Sequence, residues 1–263
     1  MKRLGHLFGA WELGVLAVMI LLYLVGLYLN PRFWGNPASI SATLRDAAQF
    51  GVMAAGSTFV LVNKDLDLSV GSVLGLTATV FSKLYAPGFY DSSPWFALVV
   101  CLAMGAGIGL LNGVLVTYLR VPTFIATLTT LFIGRGLVLG MTGGKNIGFA
   151  DKAPTTSFFV IGETNGWGFN NQVIIFVVIA LVGAVVLAAT RWGYETYATG
   201  GNLLAAKLAG IPTNAVRIRA FVISALCATV AGIMNVSASK GATLPGSPAF
   251  AAAAHCCSIC VIA

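Results

Sequence analysis

Apolar residues run along this chain in long blocks broken by short polar stretches. Six blocks approach or exceed the helix length of about 20 residues that a bilayer core demands: residues 13–29, 68–85, 95–119, 121–141, 173–190 and 220–239. A seventh, 47–62, is shorter. None shows the polar/apolar alternation of a barrel strand, so helices must satisfy the backbone in lipid. The pattern predicts an all-α, polytopic transmembrane bundle of about seven spans. No linker or low-complexity stretch divides residues 1–263, which read as one domain.

Composition strengthens this reading. The 263 residues are 58% hydrophobic and 9% charged, with a mean hydropathy of +0.90, values outside those of a domain with a water-facing surface. A net charge of +7 raises nucleic acid as a partner. The basic residues form no groove-tracking patch, however, and positive-inside bias accounts for them better. With the N-terminus in the cytoplasm, Lys2, Arg3, Lys64, Arg120, Arg191, Lys207, Arg217 and Arg219 fall inside, and Arg32, Arg45, Lys83, Lys145, Lys152 and Lys240 outside. Lys2 and Arg3 before an apolar run resemble a signal peptide, but no small-residue cleavage site follows and the segment reads as a retained first helix. Of five cysteines, Cys101 and Cys227 lie in predicted spans and Cys256, Cys257 and Cys260 crowd the end, so no disulfide framework is implied.

Two polar loops stand out. Residues 142–172, with TGGKNI, Pro154 and GETNGWGFNN, suit an outer surface loop in partial contact with a soluble protein, or a plain solvated connector. Residues 191–219 read RWGYETYATGGNLLAAKLAGIPTNAVRIR and form a basic island holding one acid, Glu195. Inside it Asn202 suits an N-cap and Gly210 a C-terminal stop, which predicts two turns of helix over 203–209 with Leu204 and Leu208 on one side. So short a helix does not stand alone in water and is expected to form with a partner or against the membrane. Gly105, Gly109 and Gly113, and likewise Gly71 and Gly75, recur every four residues, as in close helix packing.

Catalytic chemistry is hard to find. The histidines are His6 and His255 alone, and no nucleophile stands with a base. Gly143-Gly144-Lys145-Asn146 resembles the end of a phosphate-binding loop, but Leu139 stands where the first glycine belongs and Asn146 replaces the magnesium-holding hydroxyl. Any ATPase must therefore be a different chain. Arg135, inside a span, is explained by snorkelling or by pairing with Asp46, with a role in a translocation path as the alternative. Asp67 or Ser69 can cap the span that follows, and a helix start with small residues is also a polar spot able to meet a neutral hydroxylated solute.

Three stretches, DLDLSVGSVLGLT at 65–77, NGVLVTYLRVPTFIATLTTLFIGRGLVLGMTGG at 112–144 and YATGGNLLAAKLAGI at 197–211, together resemble the permease subunits of bacterial ABC importers for simple sugars. Asp67, Ser69, Gly71 and Ser72 fall on the family's IDLSVGS motif. Asn112 opens the second stretch, Arg120, Pro122 and Arg135 fall on its LRVP and ARG positions, and Gly200, Gly201, Asn202, Ala206 and Gly210 on its GGN–AA–G–I pattern. The resemblance implies a non-enzymatic inner-membrane subunit, multi-pass, working as a dimer of permeases without cofactor or metal. It implies a periplasmic sugar-binding protein outside and a cytoplasmic ABC ATPase gripping the coupling helix, where Leu204, Lys207 and Leu208 accompany the motif residues. The chain departs from the family in two places. Lys64 and Asp65 stand where relatives commonly have two glycines, and the tail 249–263, AFAAAAHCCSICVIA, replaces the further membrane helices expected there. The tail suggests a frameshift or a truncated gene model; read alternatively as a zinc site, His255, Cys256, Cys257 and Cys260 have poor spacing. A truncated, non-transporting protein that still binds the ATPase, and a secondary transporter, are the alternative readings.

Overall fold

The computed structural model describes residues 10–86, 90, 92–148, 157–162, 170–239 and 241–242. Lys2, Arg3, His6, Lys152, Pro154, Lys240 and the whole tail 249–263 lie outside the described residues, and so does the proposed His/Cys cluster within it.

The chain divides into two compact units, Met1–Arg45 and Asp46–Ala263. In the first, helix α1 (Ala10–Leu29) is followed by the one-turn helix α2 (Pro31–Trp34). Tyr23 meets Trp34 edge to face, with ring centroids 5.8 Å apart, and the missing side chain of Gly26 makes room for the same indole. Most side chains of α1 from Val18 onward are exposed and aliphatic, which suits lipid rather than water as their surroundings. Helix α3 (Pro37–Val62) crosses the boundary between the units.

The second unit is a helical bundle built around α4 (Val70–Tyr85) and α10 (Thr213–Ser239), with α5 (Pro94–Thr117), α6 (Thr123–Thr142) and α7 (Asn171–Ala189) beside them. Among the described residues four helices, α5, α6, α7 and α10, are long and apolar enough to cross a membrane, and Ala17–Leu29 and Val70–Tyr85 are shorter apolar helices. The seventh expected segment lies within α3, whose first half carries Ser39, Ser41, Thr43, Arg45 and Asp46. Those polar residues dilute its apolar character.

Helix α10 packs most extensively on α5, and the glycine stripe explains how. A Cβ on Gly109 would lie 2.7 Å from the Phe221 carbonyl oxygen and 2.9 Å from the Ala225 Cβ, and one on Gly113 2.9 Å from the Ile218 Cα. The glycines thus let two backbones approach, as the four-residue spacing predicts. Gly109→Val is expected to cost about 1–3 kcal/mol through overpacking, read as a lower unfolding midpoint in detergent; an unchanged midpoint would show that the helices separate freely there.

The bundle's two ends differ. At one, the loop 142–172 is not wholly surface. Its 3₁₀ turn Ser157–Gly162 buries Phe158 and Phe159, Phe158 stacks on Phe81 at 5.3 Å, and Phe159 tilts against Tyr85 at 5.3 Å. Two adjacent phenylalanines are too apolar to stay in a solvated connector. A two-residue strand β1 (Ile147–Gly148) pairs antiparallel with β2 (Gly241–Ala242) at the same end. Deeper, Gln49, Gln172 and Asn235 form an amide cluster: Gln49 Nε2 donates to Gln172 Oε1 at 3.0 Å, Asn235 Nδ2 to Gln49 Oε1 at 3.1 Å, and Gln172 Nε2 to the Met234 carbonyl at 2.7 Å. The opposite end carries the site.

Candidate functional site

The connection 63–69 between α3 and α4 turns sharply because the Val60 carbonyl accepts from both Asn63 N and Asp65 N, at 3.1 Å each. Lys64 takes the left-handed conformation, φ 60°. The turn aims two carboxylates inward, each into its own setting.

Asp67 is buried. Its Oδ1 accepts from Ser69 N at 3.0 Å and Ser69 Oγ at 2.6 Å, and its Oδ2 accepts from Ser224 Oγ on α10 at 2.7 Å. Asn112 Nδ2 on α5 donates to Ser69 Oγ at 3.0 Å, and Thr130 Oγ1 on α6 donates to Asn112 Oδ1 at 2.6 Å. Ser72 Oγ returns to the Ser69 carbonyl at 2.8 Å. One chain of hydrogen bonds, from Ser224 through Asp67, Ser69 and Asn112 to Thr130, therefore joins α10, α4, α5 and α6. Asp67 accepts from the amide of Ser69, which sits at the N-cap of α4; Ser69 itself makes no side-chain cap bond, since its hydroxyl is spent on Asp67. Burial pushes the Asp67 carboxyl above its usual range, and the bonds from Ser69 and Ser224 work against that rise. Asp67→Ala would leave the Ser69 and Ser224 groups without an acceptor, at about 1–3 kcal/mol for each buried group orphaned. Thermal unfolding in detergent is expected to show that loss, while Asp67→Asn, which keeps an acceptor, should show less.

Beside this network lies a groove of about 160 Å³, mainly apolar, with Ser72 and Thr130 among its lining residues together with Leu76, Ile108, Ile133 and Leu137.

Asp65 is buried beside α6 and α10. Arg217 Nε donates to its Oδ2 at 2.7 Å and an Arg217 terminal nitrogen to its Oδ1 at 2.6 Å, while Thr123 Oγ1 donates to Oδ1 at 2.8 Å. A bidentate, charge-assisted pair of this kind fixes geometry as well as energy. It ties the first turns of α10 and α6 to the α3–α4 turn.

The island 191–219 then folds as helix α8 (Arg191–Gly201), helix α9 (Leu203–Leu208) and the start of α10. Arg191 Nε donates to Glu195 Oε1 at 3.0 Å, and Arg219 lies 3.5 Å from Glu195 Oε2, with its guanidinium 5.4 Å from the Trp192 ring centre. Gly200 sits against the Val62 carbonyl so closely that no Cβ fits, and Lys64 Nζ donates to the Gly201 carbonyl at 3.3 Å.

Helix α9 is capped at both ends as the sequence predicts. Asn202 Oδ1 accepts from Leu204 N at 3.0 Å and Ala205 N at 3.1 Å. Gly210, at φ 81°, closes a Schellman motif in which Gly210 N donates to the Lys207 carbonyl and Ile211 N to the Ala206 carbonyl, both at 3.0 Å. Ala206 is its one buried residue. Leu204 is 69% exposed and Leu208 83%, and Lys207, Tyr194 and Tyr197 are exposed beside them in sequence.

Asp67, Ser69, Ser72 and Asn112 thus converge, with Gly71 buried next to them, and the eight residues named for the coupling element share α8 and α9 or their caps. Arg120, Pro122 and Arg135 stand apart: Arg120 is exposed at φ 54°, Pro122 opens α6 as its N-cap residue, and Arg135 is exposed on α6. Sequence reading missed Ser224 and Thr130 and did not pair Asp65 with Arg217, since the partners lie 18 to 157 positions apart. It also missed α8, whose threonines and glycines are weak helix formers. Among the described residues no group of three or more histidines, cysteines or carboxylates is placed to hold a metal.

Residues 39–263 match the family described as branched-chain amino acid transport system / permease component. The chain is 37% identical over 227 residues to the autoinducer 2 import system permease protein LsrC of Yersinia enterocolitica, covering 85% of this chain and 59% of that protein. It is 33% identical over 232 residues to the ribose import permease protein RbsC of Escherichia coli K12, covering 87% and 70%. Identity to the inner membrane ABC transporter permease protein YjfF of Escherichia coli K12 is 32% over 233 residues, covering 88% and 69%. The chain therefore spans 59% to 70% of the length of these relatives. No solved structure matches it.

Proposed function

The chain belongs to the branched-chain amino acid transport system / permease component family, and we propose that it serves as the transmembrane permease subunit of an ABC importer carrying a monosaccharide. The observation that carries this reading beyond the family is α9. Two leucines four residues apart stand in the open at the polar end of the bundle, outside the apolar spans, on a helix capped at both ends. With Leu203, also exposed, the two leucines form a contiguous apolar patch of the kind that takes a partner, and we assign an ATPase bound from the cytoplasm as its occupant.

In this reading ATP hydrolysis belongs to that separate subunit, and a periplasmic sugar-binding protein and a second permease copy complete the importer. The orientation with the N-terminus and the island 191–219 in the cytoplasm is supported by the positive-inside count, eight basic residues against six. Closure of the ATPases displaces α9. Gly200 on Val62 and Lys64 on Gly201 pass the displacement to the α3–α4 turn, and Glu195 with Arg219 passes it to α10. Both routes reach the Asp67 chain, which binds α4, α5, α6 and α10 and so moves them together. Ser72 and Thr130, in the groove beside that chain, are the hydroxyls we assign to the wall of the translocation path.

Vesicles containing this chain with its ATPase are expected to take up a radiolabelled pentose or hexose only with ATP and the binding protein present. Uptake that persists with an inactivated ATPase would make the chain a secondary transporter. ATPase binding with no uptake under any sugar would reduce it to a docking protein.

A further inference from the structure

A second groove, of about 280 Å³, opens between α3, α7 and α10, with Phe59, Val178, Val182, Val186 and Ile223 on its walls and Trp192 at one end. The three valines repeat every fourth residue of α7, so they line one face over about 12 Å at the helical rise. Of α7 only Gln172 is buried, and Val178 and Val182 are more than half exposed. The trough owes its depth partly to Gly183, where an added Cβ would stand 3.6 Å from the Phe59 ring. Phe59, Trp192 and Ile223 also line a smaller hollow that continues the groove to Glu195, Thr196 and Arg219.

The apolar channel therefore ends at charge. Two guanidiniums, Arg191 and Arg219, share the single carboxylate of Glu195, and their side chains are 86% and 45% exposed. That end is left with excess positive charge and an indole, the side chain that favours the membrane–water boundary. We propose that this groove holds an acyl chain of an anionic phospholipid, with Arg219 and Arg191 meeting its phosphate headgroup. A zwitterionic lipid fits the apolar channel equally well but sets its own cation against the arginines. Selectivity comes from the end, and occupancy from the trough.

Native mass spectrometry of the purified chain in neutral detergent, titrated with phosphatidylglycerol or phosphatidylcholine of matched chains, separates these contributions. Retention of phosphatidylglycerol is expected to be about fivefold greater, the preference that one uncompensated arginine near a headgroup supplies. Arg191→Gln and Arg219→Gln are each expected to shrink the preference towards parity. Gly183→Leu, which fills the trough and leaves the charges in place, is expected to lower retention of both lipids. Equal retention of the two lipids by the unaltered chain would overturn the proposal, as would a preference that survives both arginine changes. A free-phosphate source would show as full competition by glycerol phosphate, and a second copy as Gly183→Leu abolishing dimers while lipid retention stays unchanged; either result also overturns it.

Discussion

Replacing Leu204 and Leu208 together by aspartate is expected to abolish co-purification of the ATPase and sugar uptake while leaving the bundle folded. Each leucine, if covered by a partner, contributes about 1.5–3 kcal/mol through burial, so the pair accounts for a loss of roughly two to four powers of ten in affinity. The fold is spared because both side chains already stand in the open and Ala206 alone anchors α9. Asn202→Ala is a gentler control: it removes the acceptor for two backbone amides and costs about 1 kcal/mol of helix stability without touching the contact face. ATPase retained by the double aspartate variant would sink the docking role of α9. Retention with uptake lost would instead place the role of α9 in transmission alone.

The largest stability effect is expected at Asp65 and Arg217. Their side chains are 6% and 19% exposed, so removing either partner strands a buried charge, at about 3–5 kcal/mol. Asp65→Leu and Arg217→Met should each lower the unfolding midpoint sharply in a detergent titration. The double variant should recover much of the loss, because apolar residues of similar volume replace a buried pair with little net cost. A double-mutant cycle reads the coupling directly. Strictly additive losses would mean that the two residues act separately, and that the pair does not clamp α10 to the α3–α4 turn.

How much of this was visible beforehand varied with the distance over which each feature is specified. Span existence was legible, because bilayer burial imposes long apolar runs; α10, however, begins at Thr213, seven positions before its apolar block, since Val216 and Arg217 face partners rather than lipid. Helix α9 was legible down to its caps, because Asn202 and Gly210 act over two to four residues. The Asp65–Arg217 pair was not, with 152 positions between its members. Lys64 and Asp65, expected from the resemblance to be glycines, acquire a meaning in three dimensions. Lys64 keeps the left-handed turn that glycine adopts freely, and Asp65 adds the carboxylate that Arg217 grips. Likewise the aromatic pair Phe158–Phe159 looked like part of a polar loop until its packing against Phe81 and Tyr85 gave it a place.

Gly200 meets the Val62 carbonyl main chain to main chain, with no side chain interposed. Such a joint has no rotamers to turn and no compliant stem to bend. In the proposed importer it would pass on a displacement without backlash, and its closeness depends on the absence of one methyl group: Gly200→Ala would not soften the joint but lift it out of mesh.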